Sequence, residues 1–277
     1  MIIGQEVITS RANGRIKGVA ALLDKKGRAE QRRFIAEGVK LTLEALDGGL
    51  PVEEIYIALS KKEQILDALS HRLGSQEHSG VSVTIVDDSV FEKISTEKAP
   101  QGVITVIKYL DFFFNKYIIY KEEFFLGTEE RALMLYSVRD PSNLGSVIRS
   151  AVAFGIEHIL LSSDCADLYN PKTIRSAMGS LFKVKTTVLS DVPSFIEAAK
   201  ACGRRLFAAE LRENSVPLNT VDIGRTDIVV IGNEGHGIDE EISKMCTASV
   251  YIPISANTES LNASVAAAVF MWEQSKR

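Results

Sequence analysis

Residues 248–277 read ASVYIPISANTESLNASVAAAVFMWEQSKR, and this stretch decides the fold that the sequence predicts. It predicts a strand over Val250–Ile254 and a long helix over Ser260–Arg277. The polar loop between them, Ser255–Ser260, carries no bulky side chain, so a ligand or a second backbone can approach it closely. Free backbone N–H groups at the helix start suit polar or anionic ligand atoms. By itself the stretch is also consistent with an ordinary strand-to-helix junction.

The length and composition of the chain are those of a soluble globular protein. Its 277 residues allow one large or two ordinary domains, with 45% hydrophobic and 25% charged residues. No apolar run has the length that a membrane span needs, and the first residues lack the basic-then-apolar layout of a secretory signal. We therefore expect a cytoplasmic protein without a membrane partner.

The three cysteines, Cys165, Cys202 and Cys246, are odd in number and widely spaced. This spacing builds neither a disulfide framework nor a CxxC metal site, so we expect buried, reduced thiols. His236 has no Cys or His residues close to it in sequence, which argues against a metal role. The sequence thus predicts no metal site.

Basic residues are concentrated at the start of the chain. Residues 1–40 hold nine Lys or Arg and four Asp or Glu, a local charge of +5 in a chain whose net charge is −4. Such a run is either a solvated face or a surface for nucleic acid. Short strands and helices alternate through the first third of the chain. This alternation predicts a small α/β unit in which Lys25–Arg33 is a basic connector.

From Arg131 onward the alternation of strands and helices is more regular. We expect strands over Ala132–Val138, Lys185–Leu189 and Ile228–Ile231, and helices over Asn143–Phe154, Asn170–Phe182 and Val192–Ala201. The strands are nearly all apolar, which indicates a parallel sheet covered on both faces. The sequence therefore predicts an α/β fold for this part as well.

Residues 108–128, KYLDFFFNKYIIYKEEFFLGT, connect the two parts and are rich in aromatic side chains. Eight aromatic residues lie at positions 109, 112, 113, 114, 117, 120, 124 and 125. Aromatic rings interleaved with lysines are suited to stacking on RNA bases. Such a cluster is also typical of a core or of the seam between two domains. The sequence leaves both interpretations open.

Two further loops follow expected strands, at the ends where open α/β sheets bind ligands. In the first, DPSNLGSVIR over residues 140–149, Gly145 and Arg149 lie four apart on one helix face, so the glycine leaves room beside the guanidinium. In the second, IGNEGHGI over residues 231–238, three glycines allow tight turns and Glu234 is placed to accept hydrogen bonds. A capped surface helix and an ordinary glycine-rich turn are the alternative interpretations.

The three loops resemble, in order, the three signatures of the SpoU (TrmH-type) RNA ribose 2′-O-methyltransferases of the SPOUT superfamily. The first match consists of Asn143, Gly145, Arg149, Ala151, Ala153, Phe154 and Gly155. The second lies in IGNEGHG and the third in IPISANTESLNASVAAAV. The resemblance implies that residues 129–277 form a C-terminal knotted (trefoil) parallel-sheet SPOUT methyltransferase domain. One departure is Ala256, where the family has Gly.

The first part of the chain resembles the smaller α/β substrate-binding domain of many SpoU enzymes, which is similar to a ribosomal RNA-binding protein. The segments GRAEQRRFIAEGVKLTLEAL and ISTEKAPQGVITVI carry this resemblance. It implies an RNA substrate-binding domain over residues 1–107 and an aromatic-rich linker over 108–128. It also implies that Arg28, Arg32 and Arg33 contact RNA phosphates. Family linkers are shorter and more polar, so the resemblance does not explain the aromatic residues.

The resemblance also implies a cofactor, S-adenosylmethionine, bound in a bent pose over the knot. The residues that would line it are Gly232, Glu234, Ile252 and Leu261. The residues at the reacting end would be Asn143, Arg149, Asn262 and Ser264. Because a guanidinium stays protonated, we expect Arg149 to stabilise the developing alkoxide and not to act as a base.

Together these features predict S-adenosylmethionine-dependent methylation of a ribose 2′-hydroxyl in structured RNA, with ribosomal RNA favoured. A transfer RNA 2′-O-methyltransferase and a non-catalytic RNA-binding protein on the same fold are the alternatives. The helix Ser260–Arg277 is apolar or small around most of its surface and has to be buried nearly all round. SpoU enzymes dimerise through the knotted domain, so we expect a homodimer with this helix at the interface. Alternatively, other elements of the same domain could bury this helix without a second chain.

Overall fold

In the computed structural model the described residues are 2–3, 6–74, 80–110, 114–117 and 126–276, with the backbone alone described for 2–3 and 114–117. They form two compact units. The first unit comprises Met1–Leu110 and Asp167–Phe182, and the second comprises Asp111–Ala166 and Lys183–Arg277.

Strands and helices alternate along the described chain, as the sequence predicts. The helices are α1 (Gly14–Ala21), α2 (Lys25–Gln31), α3 (Val39–Asp47), α4 (Lys62–Leu73), α5 (Asp88–Ile94), α6 (Pro141–Ala153), α7 (Pro171–Ala177), α8 (Val192–Ala201), α9 (Glu240–Met245) and α10 (Ala263–Ser275). The strands are β1 (Ile2–Ile3), β2 (Arg33–Glu37), β3 (Val52–Ala58), β4 (Ser82–Val86), β5 (Val103–Lys108), β6 (Phe114–Tyr117), β7 (Ala132–Leu135), β8 (His158–Ser162), β9 (Lys185–Leu189), β10 (Leu206–Ala209), β11 (Val216–Pro217), β12 (Ile228–Ile231) and β13 (Ala248–Tyr251). Short 3-10 turns cover Leu59–Lys61, Ser180–Phe182 and Leu218–Thr220.

The first unit is built on a mixed sheet with helices on both faces. Its strand order is β1-β4-β3-β5-β2, in which β1, β4 and β3 are parallel and β5 is antiparallel to β3 and β2. Successive side chains of a strand point to opposite faces. Ile55 and Ile57 therefore pack with α3 and α4, whereas Tyr56 and Ala58 pack with α1 and α5. Each face of the sheet buries its own apolar core.

The basic segment after α1 is a helix, not the connector that the sequence predicts. α2 begins after Asp24 and ends at Arg32, which takes the left-handed conformation (φ 51°, ψ 42°). A Cβ at Gly27 would lie 2.0 Å from the carbonyl oxygen of Ala21, so glycine lets α2 lie against the end of α1. The position of α2 depends on this close contact between Gly27 and Ala21. Charge and apolar periodicity, on which the prediction of a connector was based, do not report such a contact.

The segment Asp167–Phe182 belongs to the first unit, although it lies among the later elements in sequence. The predicted helix Asn170–Phe182 is too long. α7 ends at Ala177 because Met178 is left-handed (φ 49°) and Gly179 follows with φ 83°. α7 packs against β2 of the same unit.

The second unit contains a parallel sheet of order β11-β13-β10-β12-β7-β8-β9-β6 in the described residues. Ala132 and Met134 face the core formed with α8 and α9. Leu133 and Leu135 alternate with them and therefore point to the other face, where α6 and α10 pack together. Because both faces are covered, the strands are almost continuously apolar. The predicted parallel sheet is confirmed.

The last strand lies earlier in the chain than the sequence predicts, and the last helix is shorter. β13 ends at Tyr251 and α10 begins at Ala263, so the loop between them extends past Ser260. Asn262 is the N-cap of α10, and its side-chain oxygen accepts a hydrogen bond from the N–H of Ser264 at 2.9 Å. Asparagine is a favoured cap residue, so the helix start lies at Asn262.

The aromatic residues at positions 112, 113, 120, 124 and 125 lie outside the described residues. The proposed role of this segment therefore remains a prediction. The division into functional domains at 1–107, 108–128 and 129–277 also remains a prediction.

The three cysteines differ in burial. Cys246 is buried, and burial raises the pKa of its thiol to about 12. Cys165 is partly buried, and burial also raises the pKa of its thiol. Cys202 follows the last turn of α8 and is exposed, so the expectation of three buried thiols is wrong at this position.

Candidate active site

The carboxyl ends of four neighbouring strands meet at one edge of the second unit's sheet. Parallel pairing places Leu135 beside Ile231, Ile231 beside Ala209, and Ala209 beside Val250. The loops that follow β7, β12, β10 and β13 therefore converge. Open α/β sheets bind ligands at this edge. All three loops singled out in the sequence are among the four.

The loop after β12 folds back tightly on itself. Asn233 and Gly237 exchange two backbone hydrogen bonds of 2.9 and 3.0 Å. The Asn233 Oδ1 accepts from the N–H groups of Gly235 at 2.8 Å and His236 at 3.1 Å. A Cβ at Gly232 would lie 2.5 Å from the carbonyl carbon of Gly237, which has a positive φ of 69°. The backbone path of this loop thus requires glycine at 232 and favours it at 237.

Side-chain hydrogen bonds join the three signature segments. Asn143 Nδ2 donates to Glu234 Oε1 at 2.7 Å, and Asn262 Nδ2 donates to Asn143 Oδ1 at 3.0 Å. Asn262 Oδ1 accepts from the hydroxyl of Ser264 at 2.6 Å. Because each amide uses its oxygen and its nitrogen for different partners, the chain of bonds fixes the orientation of both amides. The structure thus brings together four of the predicted site residues.

A cleft of about 960 Å³ opens beside this hydrogen-bonded chain. The loops after β10, β12 and β13 and the start of α10 form its walls. The four residues expected to contact the cofactor all line it: Gly232, Glu234, Ile252 and Leu261. Ala256 lies on the same wall. The volume is that of a small-molecule site, and its lining combines apolar side chains with a few polar groups. A nucleoside cofactor fits such a cleft.

Two charged residues of the cleft, Glu210 and Arg212, were not predicted from the sequence. Arg212 Nε lies 2.9 Å from Glu210 Oε2, and Arg212 Nη2 donates to the carbonyl oxygen of Ile238 at 2.7 Å. Glu210 also accepts from the hydroxyls of Ser243 and Ser249, the latter at 2.7 Å. The pair therefore ties the loop after β10 to the end of the loop after β12. Charged residues directly after an apolar strand are the signal that would have revealed it.

Arg149 lies on α6 and is exposed. Within the part of the chain that the structure describes, its guanidinium has no hydrogen-bond or ion-pair partner. The structure therefore does not join Arg149 to the chain of bonds from Asn143 to Ser264. A guanidinium is permanently charged, so Arg149 presents a positive charge to solvent.

A second cavity, of about 690 Å³, is lined by residues at the carboxyl ends of β7, β8 and β9. The hydroxyl of Tyr136 donates to Asp239 Oδ2 at 2.6 Å, and burial together with this bond raises the pKa of Tyr136 to about 12. Burial opposes the charge of Asp164, but hydrogen bonds from Ser137 and Ser162 hold its pKa below the usual range. These polar groups bind one another, and we assign this cavity no ligand.

The structure corrects the expectation for Arg28, the first of the three arginines expected to contact RNA. Arg28 is 1% exposed, and its Nη2 lies 2.6 Å from Asp167 Oδ2. Its Nη1 donates to the carbonyl oxygens of Leu22 at 2.9 Å and Leu23 at 2.8 Å. A guanidinium buried in this way cannot reach an RNA phosphate. Arg28 instead holds α2 and the segment after Ala166 together within the first unit.

Arg32 and Arg33 lie closer to solvent. Arg33 is partly exposed and pairs with Glu53 at 3.4 Å and Glu54 at 3.2 Å. Arg32 is exposed, and its guanidinium carbon lies 5.7 Å from the ring centroid of Tyr109. Contact of these two residues with RNA remains a prediction.

The described residues contain neither a metal-binding cluster nor a membrane span. Within them, no three or more His, Cys, Asp or Glu side chains are grouped so that they could hold a metal ion. None of the helices described above combines the length and the apolar character needed to cross a membrane.

Known proteins share both parts of this architecture. The sequence profile of the SpoU rRNA Methylase family matches residues 130–272, and that of the MRM3-like substrate binding domain matches residues 13–105. The 23S rRNA (guanosine(2553)-2′-O)-methyltransferase RlmP of Bacillus subtilis (strain 168) is 29% identical over 265 residues. That alignment covers 96% of this chain and 97% of RlmP.

Solved structures extend the similarity to the fold. A crystal structure of the rRNA methyltransferase from Sinorhizobium meliloti has a TM-score of 0.77 at 30% identity and covers 98% of this chain and 97% of that chain. The AdoMet-bound structure of the S. meliloti enzyme has the same TM-score of 0.77 at 29% identity, with coverage of 98% and 97%. The predicted α/β fold class is confirmed, whereas the knot itself remains a prediction.

The family assignment follows from these observations together. The SpoU profile spans residues 130–272, which is more than half of the 277 residues, and includes all three signatures. Those signatures are the segments that the hydrogen bonds of Asn143 and Asn262 connect. The chain therefore belongs to the SpoU rRNA methylase family.

Proposed function

We propose that this chain transfers a methyl group from S-adenosylmethionine to a ribose 2′-hydroxyl of ribosomal RNA, in the cytoplasm where that RNA is found. The observation that carries the proposal is the line of hydrogen bonds from Glu234 through Asn143 and Asn262 to Ser264, at the edge of a cleft lined by the expected cofactor residues. Ribosomal RNA is favoured over transfer RNA because the family profile, RlmP and the S. meliloti enzyme are all named for it.

The lining of the cleft supports this cofactor. S-adenosylmethionine, when bound, supplies a methyl group on a positively charged sulfur. We assign its binding to Gly232, Glu234, Ile252 and Leu261. Ile252 and Leu261 are half-buried and offer apolar contact, whereas Glu234 is exposed and offers a carboxylate to a cationic group. Ala256 adds a methyl group to the same wall, where the family has glycine, and so narrows the loop.

The attacking ribose hydroxyl is neutral and must lose its proton as it forms the new bond. Arg149 cannot take that proton, because a guanidinium is already protonated. Its exposed positive charge instead suits the developing alkoxide and the adjacent phosphate. This assigns Arg149 an electrostatic role in the reaction.

Three uncharged side chains complete the reacting end. The amides of Asn143 and Asn262 are held in one orientation by their mutual hydrogen bond and by Glu234. The hydroxyl of Ser264 is directed at Asn262 Oδ1, which leaves its oxygen as an acceptor. We assign these groups the orientation of the ribose and of Arg149.

We also propose that the working unit is a homodimer with α10 at the interface. Ala267 and Met271 of α10 are fully buried by the chain's own neighbours. Val265 and Trp272 are 48% and 55% exposed, and seven residues apart they lie on one face of the helix. The Trp272 ring contacts Phe154 of α6 edge-on, with centroids 6.1 Å apart. The single chain thus leaves open an apolar face that a second copy would cover.

Light scattering tests the dimer. The proposal expects about twice the chain mass of 30.4 kDa, and Trp272→Glu should shift the population towards the single-chain mass. A protein that stays monomeric at micromolar concentration and still methylates RNA would show that the dimer is not needed.

Nucleoside analysis tests the reaction and its substrate. The protein is incubated with S-adenosylmethionine and, separately, with unmodified ribosomal and transfer RNA, and digests are analysed by mass spectrometry. We expect a 2′-O-methyl nucleoside in the ribosomal RNA alone. Methylation of transfer RNA alone would show that the enzyme is a transfer RNA 2′-O-methyltransferase. Binding of ribosomal RNA without any transfer would indicate a non-catalytic RNA-binding protein.

A further inference from the structure

Four side chains of the first unit form a stack that runs from the core to solvent. The rings of Tyr109 and Tyr169 are nearly parallel, with centroids 3.9 Å apart and 12° between their planes. Phe34 packs against Tyr169, with centroids 4.7 Å apart, and the Arg32 guanidinium carbon lies 5.7 Å from the Tyr109 centroid. Phe34 is fully buried, Tyr109 is half-buried and Arg32 is exposed. Arg32 therefore forms the outer end of the stack.

Hydrogen bonds hold the stack in place. The N–H of Tyr169 donates to Asp167 Oδ1 at 3.0 Å, and Asp167 is paired with the buried guanidinium of Arg28. The N–H of Tyr109 donates to the carbonyl oxygen of Arg32 at 2.8 Å. The two outer members are thus joined through the backbone, and the inner ring is anchored by a buried ion pair.

Arg32 has a backbone conformation that usually belongs to glycine. Its φ of 51° and ψ of 42° place it in the left-handed region at the end of α2. Helix ends of this kind usually carry Gly or Asn, because a Cβ is strained there. Residues held in such conformations cluster at functional sites. Glycine would relieve the backbone strain at this position, yet the chain has an arginine there. This indicates that the exposed arginine side chain has a role of its own.

We propose that Arg32, supported by Tyr109, is a platform on which an unpaired base of the RNA substrate stacks. The inference rests on the proposed methylation of RNA. A guanidinium is planar and weakly hydrated, so one face can lie on an aromatic ring while the other receives a base. Of the three arginines expected to contact RNA, Arg28 is buried and Arg33 is only partly exposed. Arg32 is the exposed member of the three.

Two substitutions in the full chain separate stacking from charge. Arg32→Lys keeps the positive charge but lacks the plane, and Arg32→Gly lacks both. The probe is an RNA hairpin with 2-aminopurine in its unpaired loop, beside a second hairpin with 2-aminopurine in the paired stem. The wild-type protein should quench the loop fluorophore and leave the stem fluorophore unchanged. Both variants should bind the hairpin about tenfold more weakly and lose the quenching.

Controls exclude unfolding and loss of charge as causes. Circular dichroism should show Arg32→Gly folded at the temperature of the titrations, because glycine accepts the left-handed conformation. Arg72, on α4, is paired with Asp47, and Arg72→Lys should bind RNA as the wild type does. Wild-type binding by Arg32→Lys, or unquenched loop 2-aminopurine, would overturn the platform. The titrations contain no S-adenosylmethionine, so a protein that shows the quenching but transfers no methyl group contradicts the proposed function alone.

Discussion

The two edges of the second unit's sheet carry similar polar groups in opposite settings. At the carboxyl edge, the line of hydrogen-bonded side chains lies at the surface, with Glu234 and Asn262 exposed. At the amino edge, His158, Arg204 and Gln274 are only 6%, 5% and 0% exposed. Amides, carboxylates and cations occur at both edges. Access of solvent, and not residue type, separates a candidate active site from a structural network.

The amino edge shows what buried polar groups do. Arg204 donates to the carbonyl oxygens of Glu130 and Thr226, both at 2.9 Å, and to that of Gly127. Gln274 Nε2 donates to the carbonyl oxygen of Asp227 at 2.8 Å. Buried backbone groups must be paired, so these side chains hold the loops before the strands in place. The exposed polar groups at the carboxyl edge are bound to water, and they can exchange that water for a ligand with little loss of free energy.

The largest effect should come from Arg149 at the carboxyl edge. Arg149→Ala removes the positive charge assigned to the developing alkoxide, and we expect methyl transfer to fall by about a thousandfold or more. Affinity for S-adenosylmethionine should hardly change, because Arg149 does not line the cleft. Transfer assays and calorimetry on the same variant measure the two quantities. Arg225→Ala, at the amino edge, is the control and should keep full activity. A large loss of cofactor affinity would refute the assigned role.

The next effect concerns stability at the amino edge. Arg204→Leu removes the buried donor of three part-buried hydrogen bonds, to the carbonyl oxygens of Gly127, Glu130 and Thr226, so we expect a loss of about 3 kcal/mol in the free energy of unfolding. Urea titration measures it. Activity per folded molecule at low temperature should be unchanged. An active-site defect in the folded variant would show that the two edges are not independent.

A smaller and more selective effect is expected for Asn262→Asp. Aspartate caps a helix as well as asparagine does, so α10 should keep its stability to within about 0.5 kcal/mol. The carboxylate cannot donate to Asn143 Oδ1, so methyl transfer should fall by about tenfold. Asn13→Asp, at the equivalent cap of α1, is the matched control and should change neither quantity. A loss of activity that is fully explained by a loss of stability would mean that Asn262 acts only as a helix cap.

The smallest effect is a pH dependence of stability from the amino edge. Burial lowers the pKa of His158, although Glu130, 3.5 Å from its Nδ1, opposes this. In the unfolded chain His158 takes up a proton near its ordinary pKa of about 6.5, before the folded protein does. Its contribution to stability is therefore complete above that pH and is lost as the pH falls towards the lowered folded pKa, by at most about 1.4 kcal/mol per pH unit.

Substitution of His158 isolates its contribution to the pH dependence of stability. His158→Gln should flatten the dependence of the unfolding free energy on pH below about 6.5, where the unfolded chain begins to take up the proton. An unchanged slope in His158→Gln would mean that other groups produce it.

The sequence by itself determined the alternation of elements and the segments that form the site. β9, α8 and β12 have the bounds that apolar periodicity predicts, Lys185–Leu189, Val192–Ala201 and Ile228–Ile231. These features depend on residues a few positions apart, which is the range that periodicity covers. The signature resemblance grouped Asn143 with Asn262, and the structure places their amides in contact.

Only the tertiary structure decided which polar residues are buried and which distant loops their side chains join. Arg28 has the sequence context of a surface cation, yet its partner Asp167 lies 139 positions away and covers it. The hydrogen bond from Arg212 to the carbonyl oxygen of Ile238 likewise joins two loops that lie apart in sequence. The burial of a charged side chain depends on which distant segment packs on it. Sequence patterns over a few residues do not identify that segment, because it becomes a neighbour only when the chain folds.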